Sequence, residues 1–208
     1  MKKLLIPFFV LMISLNISSQ NGRNGPSLWE EIRANSNLNY DNTKPQIIEA
    51  LKKYDSHQYL INRLSKNGQR YLFYTVSEAL KRNLPVELSL IPFIESQFDP
   101  YAQSSTGASG IWQFIPSTAI ENGLKKNWWY DARRDIVAST EAAYNFLVKL
   151  HQEHDDWLIA IAAYNAGPSR VRKEIRKNKA KGLPTDFWSL NLPKETKAYV
   201  PKILALSE

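Results

Sequence analysis

One carboxylate in this sequence, Glu95, lies in surroundings that suit acid–base chemistry. It directly follows the apolar run of residues 88–94 and precedes a segment rich in serine and glycine. Burial against apolar neighbours disfavours the charged form of a carboxyl group, which raises its pKa and keeps a proton on it near neutral pH. A carboxyl group in that state can donate its proton as a general acid. The sequence therefore predicts Glu95 as the catalytic residue.

The residues around Glu95 predict the helix that carries it. Pro85 and Glu87 are typical of a helix start, and Pro100 biases Asp99 away from helical geometry, so the helix should end about one turn after the acid. Backbone carbonyls at that end further disfavour a negative charge. Asp99 is a rival second carboxylate if the helix continues, but an aspartate before proline favours a turn instead.

Residues 103–110 are predicted to be an irregular segment between helices. Gly107 and Gly110 allow tight turns in it and leave space for a bulky ligand to approach. Ser104 and Gln113 are then placed to orient Glu95 or to bind a polar substrate. Such a turn alone is more typical of a structural loop, and its closeness to Glu95 is what favours a function.

Apolar residues recur at helical intervals along most of the chain, and no alternating pattern of useful length indicates a strand. The sequence therefore predicts a predominantly α-helical fold. Besides the helix that carries Glu95, the predicted helices cover residues 28–34, 46–54, 59–64, 71–80, 135–150 and 156–166, with a basic amphipathic helix end at 170–181.

The first 19 residues have the pattern of a signal peptide. Lys2 and Lys3 precede an apolar stretch, which is shorter than the roughly 20 residues that span a membrane. We expect an exported protein in the periplasm or cell envelope, with an uncleaved anchor as the alternative. Residues 20–55 are predicted to form an N-terminal extension. Its first part, residues 20 to about 45, is rich in Asn, Gly, Ser and Pro and is typical of a linker or a loosely docked segment.

Composition narrows the classes of function. The chain has no cysteine, which excludes a thiolate nucleophile, disulfides and a lipid-modified cysteine. The net charge of +7, or +5 without Lys2 and Lys3, favours an anionic partner. Because the cations are dispersed apart from residues 170–181, which are typical of a solvated helix face, we expect no nucleic-acid partner. The three histidines offer no convincing metal site, and no cofactor is predicted.

The remaining acidic and aromatic residues have competing interpretations. Asp131 and Asp135 are predicted to cap a helix and form ion pairs, and Glu141 to be a buried structural partner. Flat aromatic rings complement pyranose faces, which makes several aromatic residues candidates for sugar stacking. Trp128 and Trp129 are among these candidates, but a core position is favoured for Trp128 or Trp129, because large rings supply much of a small domain's buried area. The other aromatic residues in question are Trp112 and Tyr130, which are stacking candidates, and Tyr144, which is predicted to pack in its helix.

Four ordered blocks of the chain resemble the lytic transglycosylases, particularly the membrane-bound murein transglycosylase D type. They are ESQFDPYAQSSTGASGIWQFIPSTA, WWYDARRDIVASTEAAYNFL, AAYNAGPSRV and LPKETKAYVPKILAL. The resemblance covers residues 56–208 and implies a goose-lysozyme-like catalytic domain over that range. It further implies cleavage of the MurNAc–GlcNAc bond of peptidoglycan without water, which leaves a 1,6-anhydro-MurNAc end.

The same resemblance implies individual roles. Glu95 corresponds to the family's single acid/base, Ser104 to a serine near the acid and the substrate N-acetyl group, and Tyr164 to an aromatic residue that closes the site. The residues assigned to substrate binding are Ser104, Gln113, Tyr164, Asn165 and Tyr199, with Glu195 in the same block as Tyr199. The implied partner is the peptidoglycan glycan strand, with association with the cell envelope; the sequence predicts no oligomeric state.

One carboxylate suffices for this chemistry where the substrate supplies its own nucleophile. The 2-acetamido oxygen of MurNAc can attack C1 while Glu95 protonates the leaving oxygen, and Glu95 then acts as the base. Two alternatives stay open at this point. One is a hydrolytic muramidase in which water replaces the O6 hydroxyl, and the other is a non-catalytic scaffold for wall binding or assembly.

Overall fold

The computed structural model of the chain describes residues 27–55 and 68–208. The predicted signal peptide at residues 1–19 and the predicted helix at 59–64 lie outside the described residues. Within those residues the chain forms nine α-helices and two 3-10 helices, with isolated bridges in place of strands. The prediction of a predominantly α-helical fold is confirmed.

Seven of the nine α-helices in the described residues correspond to predicted ones, whereas those at residues 116–121 and 194–207 were not predicted. The nine are α1 (Leu28–Asn35), α2 (Pro45–Asp55), α3 (Gln69–Lys81), α4 (Ile91–Ser96), α5 (Pro116–Glu121), α6 (Ile136–His154), α7 (Trp157–Ala166), α8 (Pro168–Ala180) and α9 (Lys194–Ser207). The 3-10 helices are Val86–Leu90 and Phe187–Ser189. The segment predicted as one helix into Glu95 is therefore divided, because Pro92 has no N–H to continue the α-helical ladder.

Capping residues set the boundaries of the two central helices. Asp135 accepts a hydrogen bond from the backbone N–H of Ala138 at 2.9 Å and begins α6. Asp156 does the same for α7, accepting from the N–H of Leu158 at 2.7 Å. Gly167, with φ of +86°, ends α7, where a left-handed conformation favours glycine. Since residues 158–163 of α7 are all buried, this helix lies inside the core between α6, α8 and α9.

The described part of the N-terminal extension packs into this core. Ile32 in α1 and Ile47 in α2 are fully buried, and both helices contact α9. The buried carboxylate of Glu87 accepts hydrogen bonds from the backbone N–H groups of Asn37 and Leu38 at 3.0 and 2.9 Å. Residues 27–55 are thus not loosely docked, because a few apolar positions and one carboxylate fix an otherwise polar segment. The domain boundary at residue 56 stays a prediction.

No helix within residues 27–55 and 68–208 combines the length and apolar character needed to cross a membrane.

Candidate active site

Glu95 lies in the last turn of α4, as predicted, and its carboxyl group is half-buried. Its Oε1 accepts a hydrogen bond of 2.5 Å from the hydroxyl of Tyr199 in α9. Burial raises the pKa of Glu95 to about 7. The hydrogen bond from Tyr199 lowers this pKa and the negative charge of Glu195 raises it, both less than burial does. The group therefore exchanges its proton near neutral pH.

A groove of about 400 Å³ opens at Glu95. Its walls come from α4, α5, α6, α7, α9, the first residue of α8 and the segment between α4 and α5. Five predicted site residues line it together, namely Glu95, Ser104, Gln113, Tyr164 and Asn165. The sixth, Tyr199, reaches the site through its hydrogen bond to Glu95. Glu195 also lines the groove, so that a second carboxylate shares it.

Residues 103–114 form one wall of the groove as an irregular loop, which the sequence predicted for its first part. Two isolated bridges fold the loop on itself, Gln103 to Ser109 and Ser109 to Phe114. The Ser104 hydroxyl accepts from the backbone N–H of Ala108 at 3.0 Å and lies 2.9 Å from the hydroxyl of Thr106. Ser104 thus lines the groove with Glu95, while its own hydrogen bonds hold the loop.

Gln113 closes the same loop from its other end. Its backbone is left-handed, with φ of +48°, and its side-chain Nε2 donates to the carbonyls of Gly110 at 2.8 Å and Ala102 at 3.2 Å. Both amide protons are therefore used inside the loop. The Oε1 acceptor is the part of this side chain that suits a polar ligand in the groove.

Tyr164 and Asn165 connect the end of α7 to the other walls. The Tyr164 hydroxyl donates to the carbonyl of Trp112 at 2.7 Å, and its ring packs edge-on against that of Phe114 with centroids 6.1 Å apart. The Asn165 Oδ1 accepts from the Thr196 hydroxyl in α9 at 2.7 Å. Together the two side chains hold the loop and α9 in place around Glu95.

Arg133, which the sequence did not single out, braces the loop that walls the groove. Its guanidinium group is buried, with Nε and Nη2 donating to Asp131 at 2.9 and 2.6 Å. Its Nη1 donates to the loop carbonyls of Gly107 at 2.7 Å and Phe114 at 3.1 Å. The spacing of Asp131 and Arg133 indicates a local ion pair, but no sequence pattern indicates the contact between Arg133 and the distant Gly107.

Gly110 has a different purpose from the predicted one. A Cβ atom at this position would lie 1.8 Å from the backbone oxygen of Arg133, and its φ is +82°. The glycine therefore permits a close approach of two backbone segments of the protein, where the sequence indicated space for a ligand.

The other acidic residues have structural roles. Asp135 caps α6 and Asp131 pairs with Arg133, as predicted. Asp99 accepts a hydrogen bond from the backbone N–H two residues later at 2.9 Å, which confirms its role in a turn. The prediction of Glu141 as a buried partner is wrong, since it lies on the exposed face of α6.

The burial of the aromatic residues differs from the prediction at three positions and agrees with it at one. Trp112 is fully buried and donates from Nε1 to the hydroxyl of Thr140 at 3.0 Å, so its proposed stacking on sugar is wrong. Trp128 and Trp129 are 88% and 90% exposed, so the prediction that they lie in the core is also wrong. Tyr144 is fully buried in α6, which confirms its packing role.

Among the described residues no group of three or more His, Asp or Glu side chains is arranged to hold a metal ion. His151, near the end of α6, instead stacks on the ring of Trp157 with centroids 4.1 Å apart.

Comparison with known proteins assigns the class of this chain. The model of the transglycosylase SLT domain family matches residues 74–186, which is more than half of the sequence. The matched range includes Glu95, Ser104, Gln113, Tyr164 and Asn165. The chain therefore belongs to the transglycosylase SLT domain family.

The chain is also similar to individual relatives. The chain is 50% identical over 164 residues to the membrane-bound lytic murein transglycosylase D of Escherichia coli K12, which covers 78% of this chain and 36% of that relative. It is 32% identical over 108 residues to the membrane-bound lytic murein transglycosylase F of Desulfosudis oleivorans, covering 49% and 22%. The chain thus spans about a third of the length of the first relative.

Among solved structures, an inactive mutant of the lytic transglycosylase Slt from Pseudomonas aeruginosa matches with a TM-score of 0.49 and 22% identity, over 86% of this chain and 31% of that one. At this distance the likeness adds nothing to the family assignment.

Proposed function

We propose that the protein is a peptidoglycan lytic transglycosylase that cleaves the β-1,4 bond between MurNAc and GlcNAc without water. The observation that carries the proposal is Glu95, a carboxyl group with a pKa of about 7 in a groove lined by hydrogen-bonding side chains. The family membership and the names of the relatives support the same reaction.

In the first step Glu95 acts as the general acid. Its protonated carboxyl group donates to the glycosidic oxygen O4 of the leaving GlcNAc, while the 2-acetamido oxygen of MurNAc attacks C1. The C1–O4 bond breaks, its electrons stay on O4, and a cationic oxazolinium ring forms on MurNAc. Glu95 is left as a carboxylate, which the hydroxyl of Tyr199 stabilises through its hydrogen bond.

In the second step Glu95 acts as the base. The carboxylate takes the proton from the O6 hydroxyl of the same MurNAc, and O6 attacks C1 as the acetamido oxygen leaves. The product is the 1,6-anhydro ring, and Glu95 regains its proton for the next cycle. Because one group serves as acid and base, and the acetamido oxygen and O6 of the substrate are the two nucleophiles, neither step requires a second carboxylate or a water molecule.

The substrate-binding residues then have specific tasks. Ser104 accepts a hydrogen bond from the N–H of Ala108, and with the Thr106 hydroxyl as a second donor its own proton is left for the acetamido group, which it holds near C1. Asn165 has its oxygen bound to Thr196, which makes its Nδ2 the donor for a glycan. Gln113 offers Oε1. The Tyr164 hydroxyl already donates to the carbonyl of Trp112. To stabilise charge on the acetamido group, it would have to break this hydrogen bond and donate to the substrate instead.

We also propose an envelope location, with residues 1–19 directing export and the glycan strand as the partner. The relatives named as membrane-bound support an envelope association. N-terminal sequencing of the exported protein tests this proposal. A mature chain that begins near residue 20 supports cleavage, and an intact Met1 supports the anchor.

A hydrolytic muramidase is the second candidate, because Glu195 lines the groove with Glu95 and could act as the base for a water molecule. Mass spectrometry of the products from purified murein separates the two reactions. We expect muropeptides with anhydro ends, one water lighter than reducing ends. Products with exclusively reducing MurNAc ends would refute the lytic reaction. If the protein bound murein but released no soluble products, and Glu95→Gln changed nothing, the non-catalytic scaffold would be favoured.

A further inference from the structure

A second groove of about 570 Å³ lies beside the loop that walls the catalytic groove. Neighbouring residues of that loop line the two grooves, Gln103 the second and Ser104 the catalytic one. We call the second groove the aromatic surface. Its lining residues are Tyr101, Gln103, Lys126, Asn127, Trp128, Trp129, Tyr130, Asp131, Arg133, Arg134 and Asp135.

The aromatic surface exposes unusually large rings. Trp128 and Trp129 are 88% and 90% exposed, and Tyr101 is 75% exposed. Large aromatic rings normally contribute buried area to the core, so a cluster of them in solvent indicates a binding site. Elsewhere in this chain the rings of Trp112 and Tyr144 follow the normal rule and are fully buried.

The turn that presents the two tryptophans is held in one geometry. Asn127 accepts hydrogen bonds of 2.8 Å from the backbone N–H groups of both Trp129 and Tyr130, and its own N–H donates to the carbonyl of Tyr130 at 2.8 Å. The hydroxyl of Tyr130 donates to Asp135, the cap of α6, at 2.9 Å. The exposure of the rings is therefore built into the fold, and a preorganised turn loses little entropy when a ligand binds.

The chemistry of the lining selects a sugar. It combines four aromatic rings with seven amide or charged side chains, and among the described residues it includes no aliphatic side chain. Flat rings with hydrogen-bonding groups at their edges suit pyranose faces and hydroxyls, whereas a lipid or an apolar helix would be met by aliphatic residues.

The charges of this region select an acidic ligand. The sequence from residue 125 to residue 135 contains four cations and two carboxylates. One pair, Arg133 with Asp131, is satisfied internally. Lys126, whose Nζ lies 3.9 Å from Asp131, and Arg134, which donates to Ser109 at 3.2 Å, are both exposed beside the rings. Exposed cations attract carboxylates like those of the peptide stems on a murein glycan.

We propose that the aromatic surface is a second binding site for a murein strand, outside the catalytic groove. Trp128 and Trp129 stack on its sugar rings, and Lys126 and Arg134 pair with stem carboxylates. The identity of the glycan rests on the proposed function, whereas the site itself does not require turnover.

The first test measures binding without cleavage. In a Glu95→Gln background, the double variant Trp128→Ala/Trp129→Ala should co-sediment with insoluble murein about tenfold more weakly, as expected for losing two aromatic contacts. The double variant Trp128→Phe/Trp129→Phe should restore most of that binding, and Ile120→Ala, which removes an exposed apolar residue elsewhere, should change nothing. Unchanged binding in the alanine double variant would overturn the proposal.

The second test separates the aromatic surface from the catalytic groove. With Glu95 intact, the alanine double variant should cleave a short soluble muropeptide dimer at a rate within about twofold of the unchanged chain, but should lose activity on intact murein in line with its binding. An equal loss on both substrates would place the tryptophans in the catalytic groove and overturn the proposal. Absence of cleavage by the unchanged chain would instead refute the proposed function and leave the binding result standing.

The third test addresses a membrane as the occupant. Vesicles of phosphatidylglycerol and phosphatidylethanolamine are used as the probe, because exposed tryptophans beside lysines are also typical of membrane interfaces. We expect no difference in vesicle binding between the double variant and the unchanged chain. Loss of vesicle binding with murein binding intact would overturn the glycan site.

Discussion

Glu95, which is half-buried, and Arg133, which is buried, are ionisable residues on either side of the same loop, and their surroundings differ sharply. The guanidinium of Arg133 makes four hydrogen bonds, two to Asp131 and two to loop carbonyls. The carboxyl group of Glu95 accepts one within the described residues, from Tyr199. A buried charge whose nitrogen atoms all donate hydrogen bonds holds structure, whereas a carboxyl group with few partners is costly to keep ionised and exchanges its proton readily. Arg133 therefore supports the structure of the loop, whereas Glu95 is the group suited to proton transfer.

The largest effect should follow removal of the reactive proton. Glu95→Gln should lower the release of soluble muropeptides by a factor of about 10²–10⁴, because the amide keeps the shape but cannot donate and recover a proton. Murein binding should persist. Asp99→Asn, in an exposed turn, is the matched control and should retain full activity. A Glu95→Gln variant with normal turnover would remove this residue from the mechanism.

Arg133→Met should lower the stability of the fold. It leaves Asp131 and two loop carbonyls without their buried partner, which should lower the free energy of unfolding by about 3–5 kcal/mol. Urea denaturation measures the loss. Arg134→Met, at the exposed neighbouring position, should cost less than about 1 kcal/mol. Equal stability of the two variants would contradict the bracing role.

The cost of ionising Glu95 should also appear in stability. Between its ordinary pKa of 4.5 and its folded pKa of about 7, the folded state binds a proton that the unfolded state releases. Stability therefore falls as pH rises through this window. Glu95→Gln removes the penalty, so at pH 8 the variant should be more stable than the unchanged chain by about 1–3 kcal/mol, a range reduced for partial exposure of the carboxyl group. At pH 4 the two should unfold alike. A gain of equal size at both pH values would show that the raised pKa is not its source.

The smallest effects should come from two substitutions beside Glu95 that shift the pH profile of kcat/KM in opposite directions. Tyr199→Phe removes the hydrogen bond that lowers the pKa of Glu95, so the alkaline limb of kcat/KM should move to higher pH. Glu195→Gln removes a nearby negative charge, so the limb should move to lower pH with turnover retained below it. Tyr40→Phe, far from Glu95 in sequence and outside its groove, is the control. If Glu195→Gln abolished turnover as Glu95→Gln does, a two-carboxylate reaction would replace the single-acid one.

Much of this site was predictable because its signals are local. The apolar run before Glu95 predicted its raised pKa, and Asp99 before a proline predicted the end of its helix. Helical periodicity and caps such as Asp135 predicted α6 and α7. Each of these inferences concerns residues within about two turns of one another, where sequence spacing determines geometry.

The errors arose where a residue's environment depends on distant contacts. Residue type favoured the core for Trp128 and Trp129, but the turn pinned by Asn127 holds them in solvent. The fixed place of residues 27–55 depends on α9, which lies far away in the chain. Likewise, the need for a glycine at position 110 comes from the backbone of Arg133. No pattern in a single sequence specifies such long-range neighbours.

The hydrogen bond from Tyr199 to Glu95 joins residues 104 positions apart. A ribosome therefore completes the segment carrying the acid long before the tyrosine that tunes it emerges. A nascent polypeptide, or one clipped ahead of α9 by a protease, holds its glutamate without this donor and without the wall that α9 supplies. The proposed acid–base chemistry therefore draws on contacts that form only once α9 has packed against α4.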